Sequence, residues 1–116
     1  MIKEHETGLT PGKITTLQNI LSRDSLEFAL LYGSRATGTY NEKSDIDIGV
    51  KSSKNNNEYT ILFRIEEEYS DKGFDDNELD LTILDTTIDE TFKNTVKTKA
   101  IYICGNKSKY NEFISS

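Results

Sequence analysis

The chain has 116 residues, a net charge of −6 at pH 7 and 34% hydrophobic residues. Because a chain of this length can bury one hydrophobic core but not two, we expect a single domain over residues 1–116. The acidic balance argues against direct nucleic-acid binding, which depends on lysine and arginine contacts with phosphates, and no apolar run is long enough to span a membrane.

The single cysteine, the N-terminal residues and the single histidine indicate the expected compartment and exclude one class of enzyme. Cys104 is the only cysteine, and its apolar setting predicts a buried strand residue in a reducing environment. Residues 1–6 lack the apolar core of a signal peptide, so we expect a cytoplasmic protein. The only histidine, His5, lies in a polar, aperiodic segment, which excludes a Ser-His-Asp hydrolase.

The first third of the chain predicts a helix, a strand and a short helix. Residues 1–10 are polar and predict a loosely ordered end. Thr10-Pro11 is typical of a helix start, and the apolar spacing that follows predicts a helix over 11–23. Residues 26–32 are evenly apolar and predict a buried strand that ends at Gly33, after which a short helix over 34–37 is broken by Gly38.

The rest of the chain alternates strands with helices. Polar and apolar residues alternate over 45–50 and 78–84, which predicts two more strands, and residues 101–103 predict a short edge strand. Helical spacing appears over 59–69 and 87–96, and residues 106–116 predict a loose tail or a marginal helix. This order indicates an α/β fold with a small mixed sheet of about four strands and helices packed on it.

The end of the first strand carries the first candidate site. A buried strand that ends in Gly33-Ser34 at the start of a helix places backbone N–H groups and a hydroxyl together, which suits phosphate oxygens. Gly33 has no Cβ, so a ligand can approach the backbone closely. Taken alone, this pair is also typical of an ordinary turn with a capping serine.

The second strand carries two carboxylates on one face. Asp45 and Asp47 are two residues apart, so both side chains point the same way while Ile46 and Ile48 pack on the other side. Two adjacent carboxylates repel each other and favour a bound cation, and oxygen ligands that face a phosphate indicate Mg²⁺ or Mn²⁺.

The third strand supplies a third candidate ligand. Asp80 points away from the apolar side chains of its strand, and it would join Asp45 and Asp47 if the two strands are neighbours. Three carboxylates can hold two metal ions, one on the triphosphate and one on an attacking hydroxyl. Asp76 and Asp85 remain alternatives for this role, and Glu78 lies one pair further along the strand.

The spacing of these residues resembles a known signature. Gly33-Ser34, ten intervening residues, Asp45-x-Asp47 and a later aspartate on an apolar strand resemble the DNA polymerase beta-type nucleotidyltransferases. The segments Gly33–Ala36 and Ser44–Asp47 are most similar to the minimal nucleotidyltransferase (MNT) antitoxins of HEPN/MNT toxin–antitoxin pairs. The resemblance covers residues 28–104 and implies the polymerase beta-like fold.

The resemblance implies a role for each residue. Gly33 and Ser34 would bind the triphosphate of ATP, Asp45 and Asp47 would bind two Mg²⁺ ions, and Asp80 would ligate one of them and help to deprotonate the acceptor. Arg35 is a further candidate for phosphate contact, with a surface ion pair as the equal alternative. The implied reaction transfers AMP to a hydroxyl, expected to be a tyrosine of the HEPN ribonuclease toxin, and so silences this partner in a hetero-oligomer.

Two other functions remain open. A protein with this fold can neutralise its partner by covering it, in which case an Asp45→Asn, Asp47→Asn double variant would still protect cells. Transfer of a nucleotide to a small molecule such as an aminoglycoside is the third option. Such enzymes usually carry a second domain for the acceptor, and a chain of this length leaves little room for one.

Overall fold

The computed structural model describes residues 7–23, 26–53, 57–84 and 89–115. His5, Asp85 and the predicted helix start at residue 87 lie outside these ranges. One sheet in the described part has the spatial order β3-β2-β1-β4, with β1 antiparallel to both neighbours and β2 parallel to β3. The sequence prediction of a small mixed sheet is therefore confirmed. The strands are β1 Leu26–Tyr32, β2 Ile46–Ser52, β3 Leu79–Ile83 and β4 Ile101–Gly105.

The described residues also form five helices and one short 3-10 turn at Asp76–Glu78. The first helix starts as predicted, since the Thr10 hydroxyl oxygen accepts a hydrogen bond from the Lys13 N–H at 3.2 Å and Pro11 takes the first helical position. The second helix ends at Gly38, which is in the left-handed conformation with φ 87°. The helices are α1 Pro11–Arg23, α2 Ser34–Thr37, α3 Glu58–Asp71, α4 Glu90–Thr98 and α5 Lys107–Ser115.

One face of the sheet packs on α1 and α3. Alternate residues of β2 point to this face, and they are fully buried against leucine and isoleucine side chains of the two helices. Tyr69 of α3 is buried in the same cluster and stacks on Phe74, with ring centroids 5.1 Å apart. This apolar layer supplies most of the core. The β2 residues in it are Ile46, Ile48 and Val50.

The opposite face packs on α4 and α5. Phe28 and Leu30 of β1 contact Val96 of α4 and Tyr110 of α5 in a second buried cluster. The rings of Phe28 and Tyr110 meet edge to face, with centroids 5.8 Å apart. The sheet is therefore the middle of three layers, and the helices of the second layer leave the β2–β3 end of this face less covered.

The two ends of the described chain pack on the core. Leu9 is buried in the first core cluster, and the backbone of Thr7 is tied to Arg35. Residues 107–115, predicted as a loose tail or a marginal helix, form α5 and bury Tyr110. Of the two alternatives predicted for residues 106–116 the structure therefore shows the helix, and sparse apolar residues at both ends contact the core.

No helix within the described ranges has the length and apolar character that crossing a lipid bilayer requires.

Candidate active site

One end of each of the four strands lies at the same end of the sheet. β1 ends there at Tyr32, and β2, β3 and β4 begin there, because β2 and β4 run antiparallel to β1 and β3 runs parallel to β2. The turn after β1 starts with Gly33, and Asp45 immediately precedes β2. The order and direction of the strands therefore bring the residues predicted from the sequence to the same end of the sheet.

The register aligns three polar side chains across neighbouring strands. Tyr32 pairs with Asp47, and Asp47 pairs with Asp80. Residues that lie directly opposite each other point to the same face, so all three side chains lie on the face that carries α4 and α5. The prediction that Asp80 lies beside the Asp45–Asp47 strand is thus what the sheet shows.

Asp47 has an unusual environment for a carboxylate. Burial, followed by the negative charge of Asp80, a hydrogen bond with Asp80 and the charge of Asp45, raises the pKa of Asp47 to about 6 from its ordinary value of 3.8. The negative charges of Asp80 and Asp45 therefore disfavour the charged form of Asp47, and a bound cation would favour it.

The close contact between residue 33 and Asp47 requires a glycine at this position. Its backbone has φ 76° and ψ −157°, a conformation that other residues adopt only under strain. A Cβ added at this position would also overlap the Oδ2 atom of Asp47. The turn after β1 can approach the carboxylate this closely only because residue 33 is glycine.

Ser34 begins α2 beside this contact. It is half-buried, and its carbonyl oxygen accepts hydrogen bonds from the N–H groups of Gly38 and Thr39 at 2.9 and 3.0 Å. Its hydroxyl group makes no hydrogen bond to any residue in the described ranges. The N–H groups of Ala36 and Thr37 both donate to the carbonyl oxygen of Gly33 at 3.1 Å, so the N–H groups of Ser34 and Arg35 at the start of α2 are the ones without a partner within the helix. The turn can therefore offer hydroxyl and backbone donors to an anion.

Arg35 has a different setting from the one predicted. The side chain is only 7% exposed, and its guanidinium donates to the carbonyl oxygens of Thr7 at 2.8 Å and of Ser44 at 3.0 and 3.2 Å. It also lies over the ring of Tyr40, 5.2 Å from the centroid. Since Ser44 precedes Asp45, Arg35 fixes the backbone that presents this aspartate. A phosphate contact by Arg35 stays a prediction, and the surface ion pair is wrong.

Tyr32 is a site residue that sequence reasoning missed. Its hydroxyl is 3.1 Å from the Thr82 hydroxyl of β3, so the side chain reaches across β2. Burial raises its pKa, the hydrogen bond with Thr82 opposes this effect, and the charges of Asp47 and Asp80 raise it further. Its position directly before Gly33 at the end of a buried strand was the available signal.

The alternatives for the third carboxylate lie elsewhere. Glu78 forms a salt bridge with Lys13, with 2.6 Å between Nζ and Oε1, and so is engaged with α1. Asp76 lies in the 3-10 turn before β3. Asp85 lies outside the described residues. Of the candidates that can be placed, Asp80 is the one that faces Asp47.

Two of the three predicted carboxylates are arranged in a way that suits a metal ion. Within the described ranges, no three acidic, histidine or cysteine side chains converge closely enough to enclose a cation. Asp47 and Asp80 form a facing pair, whereas exposed Asp45 affects Asp47 only through its charge. Mg²⁺ in proteins is usually held by one or two carboxylates together with water and substrate phosphates. The pair therefore fits such an ion, and ligation by all three aspartates stays a prediction.

The fold and the paired aspartates define the class of the polymerase beta-type nucleotidyltransferases, as the resemblance implied. The model of the polymerase beta nucleotidyltransferase domain matches residues 15–109, and the chain belongs to this family. A comparison with curated proteins found no match.

Solved toxin–antitoxin structures share the fold. A crystal structure of a toxin–antitoxin with AMP-PNP contains a chain with TM-score 0.65 and 22% identity, over 92% of this chain and 82% of that chain. An MntA–HepT complex gives TM-score 0.62 and 17% identity, over 91% and 81%. A tri-AMPylated Shewanella oneidensis HEPN toxin in complex with its MNT antitoxin gives TM-score 0.56 and 19% identity, over 89% and 76%.

Proposed function

We propose that this protein is a Mg²⁺-dependent nucleotidyltransferase that transfers AMP from ATP to a tyrosine hydroxyl of a HEPN-type toxin and so acts as its antitoxin. The observation that carries the proposal is the facing pair of Asp47 and Asp80 against the Gly33 backbone. Two carboxylates held side by side where the strands begin repel each other, and this arrangement is unfavourable without a ligand. A metal-bound triphosphate would offset this cost.

The chemistry assigns one task to each group. A bound Mg²⁺ ion would neutralise charge on the triphosphate and lower the pKa of the attacking hydroxyl. The turn at Gly33-Ser34 holds phosphate oxygens through N–H and hydroxyl donors, and Asp47 would hold the Mg²⁺ ion. Asp80 accepts the proton of the acceptor hydroxyl. The acceptor oxygen forms a bond to the α-phosphorus, and the bond from this phosphorus to the bridging oxygen breaks, so that pyrophosphate leaves.

The site lies open to a large acceptor. Asp80 and Asp45 are both exposed, and β3 is the edge strand of the sheet. An acceptor can approach from this side without displacing α4 or α5. The likeness to structures of toxin–antitoxin complexes, one of them with a tri-AMPylated toxin, supports a protein as the acceptor.

The test combines the purified protein with ATP labelled at the α-phosphate, Mg²⁺ and the product of the neighbouring gene. We expect label on the partner and a mass increase of one or more AMP groups on a tyrosine. Asp47→Asn and Asp80→Asn should each lower the rate at least about a hundredfold, because each removes a charge used in the transition state. Asp76→Asn is the matched control, since it removes a carboxylate from the turn just before β3.

The outcomes separate the competing functions. Failure of the unchanged protein to label its partner would exclude the transferase. Equal rates for Asp80→Asn and Asp76→Asn would remove Asp80 from the mechanism. If the Asp45→Asn, Asp47→Asn double variant still protects cells from the toxin, the protein acts by covering its partner.

A further inference from the structure

β3 forms one edge of the sheet and carries the exposed Asp80. In the spatial order β3-β2-β1-β4, no strand of the described ranges pairs with the outer side of β3. An edge strand leaves a row of backbone N–H and C=O groups without partners, and such a row can pair with a strand from another chain. The carboxylate that is proposed to accept the proton of the acceptor therefore lies on a strand that can take a further neighbour.

The hydrogen bonds of β3 show which of its backbone groups point to the open edge. The N–H group of Leu84, directly after β3, donates to the carbonyl oxygen of Val50 at 2.8 Å, so Leu84 faces β2. Because the backbone groups of successive strand residues point to opposite sides, Asp80 and Thr82 also face β2. The residues between them direct their N–H and C=O groups outward; these residues are Leu81 and Ile83.

A strand added antiparallel to β3 would bring its own side chains to the site. The residue directly opposite Asp80 would form a non-hydrogen-bonded pair with it, because the backbone groups of Asp80 face β2. The Cα atoms of such a pair are about 4.5 Å apart, and the two side chains point to the same face of the sheet. The side chain opposite Asp80 would therefore lie on the face that carries Asp47.

Tyr32 shows which hydroxyl side chain can reach the two aspartates from an added strand. It lies on β1, and its hydroxyl is 3.1 Å from the hydroxyl of Thr82 on β3. A tyrosine of this sheet therefore extends its hydroxyl across one strand towards the next. A tyrosine on a strand outside β3 can in the same way lean over Asp80 towards Asp47, whereas a serine hydroxyl stays close to its own strand.

The charge at this edge indicates which kind of segment can bind. Asp45, Asp47 and Asp80 lie at the same end of the sheet, and the whole chain has a net charge of −6. Two copies of the chain paired through β3 would bring two such groups of carboxylates together, and like charges on facing strands are destabilising. A segment with Lys or Arg two residues from its tyrosine instead places a positive charge on the face of Asp47 and Asp80.

We infer that the acceptor binds as an extended segment that pairs antiparallel with the outer edge of β3, with its tyrosine opposite Asp80 and a basic residue two positions away. This inference rests on the proposed function and deepens it, since it states how the acceptor is recognised. Backbone hydrogen bonds to Leu81 and Ile83 supply affinity, and the tyrosine and basic side chains supply selectivity. The tyrosine oxygen then bonds to the α-phosphorus, its proton passes to Asp80 and pyrophosphate leaves.

The first test uses a short synthetic peptide centred on the tyrosine that becomes labelled in the transfer assay. With the full chain, ATP and Mg²⁺, we expect the peptide to be modified, because an extended segment needs no folded partner. Methylation of the backbone nitrogen of the residue before the tyrosine removes the N–H that bonds to Leu81, so KM should rise about tenfold with kcat unchanged. The matched control is methylation of the backbone nitrogen of the tyrosine, which points away from β3, and KM should stay within about threefold.

The second test measures amide hydrogen exchange of the unchanged chain by NMR, with and without the peptide. Mg²⁺ and an ATP analogue with a methylene group between the α- and β-phosphates are present, so that no transfer occurs. We expect exchange of the Leu81 and Ile83 N–H groups to slow at least about tenfold when the peptide binds. The N–H groups of Asp80 and Thr82 already bond to β2, so their exchange should change less than about twofold.

Each other outcome has a distinct meaning. If the unchanged chain labels no tyrosine of its partner, the proposed function fails and the inference fails with it. If it labels the partner but not the peptide, or if the two methylated peptides have equal KM values, the inference alone is overturned. A labelled segment without Lys or Arg two residues from its tyrosine would also contradict it. Slow exchange at Leu81 and Ile83 without peptide that becomes faster on dilution would show that a second copy covers the edge, which would overturn the inference as well.

Discussion

The two faces of β2 differ sharply although they belong to one strand. Ile46, Ile48 and Val50 point to α1 and α3 and are completely buried. Asp47, the residue between the first two, points the opposite way and meets Asp80 and the Gly33 backbone. Because successive side chains of a strand point to opposite faces, β2 packs in the core with one face and contributes to the site with the other.

The difference between the two faces of β2 shows that neighbouring residues of one strand have separate tasks. One set of alternate residues stabilises the fold, and the other set contributes to ligand binding. The apolar face lowers the free energy of the folded state through burial. The polar face raises it, because two carboxylates are held together there. Substitutions on the two faces should therefore change stability in opposite directions.

The largest effect on stability is expected on the apolar face. Ile48→Ala should lower the free energy of unfolding by about 3 kcal/mol, because it leaves a cavity among fully packed side chains. Urea denaturation measures this loss. Phe63→Ala on α3 is the control, since that side chain is 67% exposed and its removal should cost less than about 0.5 kcal/mol. Equal losses would contradict the division between the faces.

A smaller effect is expected at the turn between the two regions. Gly33→Ala should cost about 2 kcal/mol from backbone strain and should also abolish ATP binding, because the new methyl group displaces Asp47. Gly73→Ala is the matched control, since Gly73 also has positive φ, 90°, but a Cβ there meets no atom within 4 Å. Calorimetry with ATP and Mg²⁺ distinguishes them. Normal ATP binding by Gly33→Ala would show that the close approach is unimportant.

The smallest effect is a gain in stability on the polar face. The pKa of Asp47 is about 6 in the folded protein and 3.8 ordinarily, so the folded state holds a proton that the unfolded state releases. Stability therefore falls as pH rises from about 4 to about 6 and stays lower above that range. Because the carboxyl is partly exposed, Asp47→Asn should add only about 1 kcal/mol at neutral pH.

Thermal unfolding at about pH 4 and about pH 7.5 tests this gain. The stabilisation by Asp47→Asn should appear at the higher pH and vanish at the lower one, where the carboxyl of the unchanged protein is protonated. Glu67→Gln on the exposed side of α3 provides the control for a simple loss of charge. The same gain at both values would show that Asp47 does not carry the unfavourable charge.

The sequence predicts those parts of the fold and site that depend on local pattern. The alternation in β2 places Asp47 on the face opposite Ile46 and Ile48, and the Gly33-Ser34 turn follows from the end of an apolar strand. That Asp45 shares the face of Asp47 stays a prediction. The flanking leucines of Asp80 indicate its orientation correctly, and the parallel register with β2 confirms its place beside Asp47.

The rest depends on contacts between residues that are distant in the chain. The role of Arg35 requires the carbonyl of Thr7, which is 28 residues away, so no local pattern distinguishes it from a surface arginine. The helix α5 depends on Phe28 as a partner for Tyr110 and Phe113. The bond between Tyr32 and Thr82 crosses an intervening strand and requires the full sheet.

The parallel pairing of β2 with β3 affects how homologues of this domain can be recognised from their sequences. A ladder of backbone hydrogen bonds fixes Asp80 beside Asp47, so the length of the connection through α3 does not decide where Asp80 lies. The stretch from Gly33 to Asp45 is different, because Arg35 ties it down at Ser44. Insertions and deletions should therefore accumulate between the second and third aspartates. A search for distant relatives should keep the first spacing fixed and leave the second open.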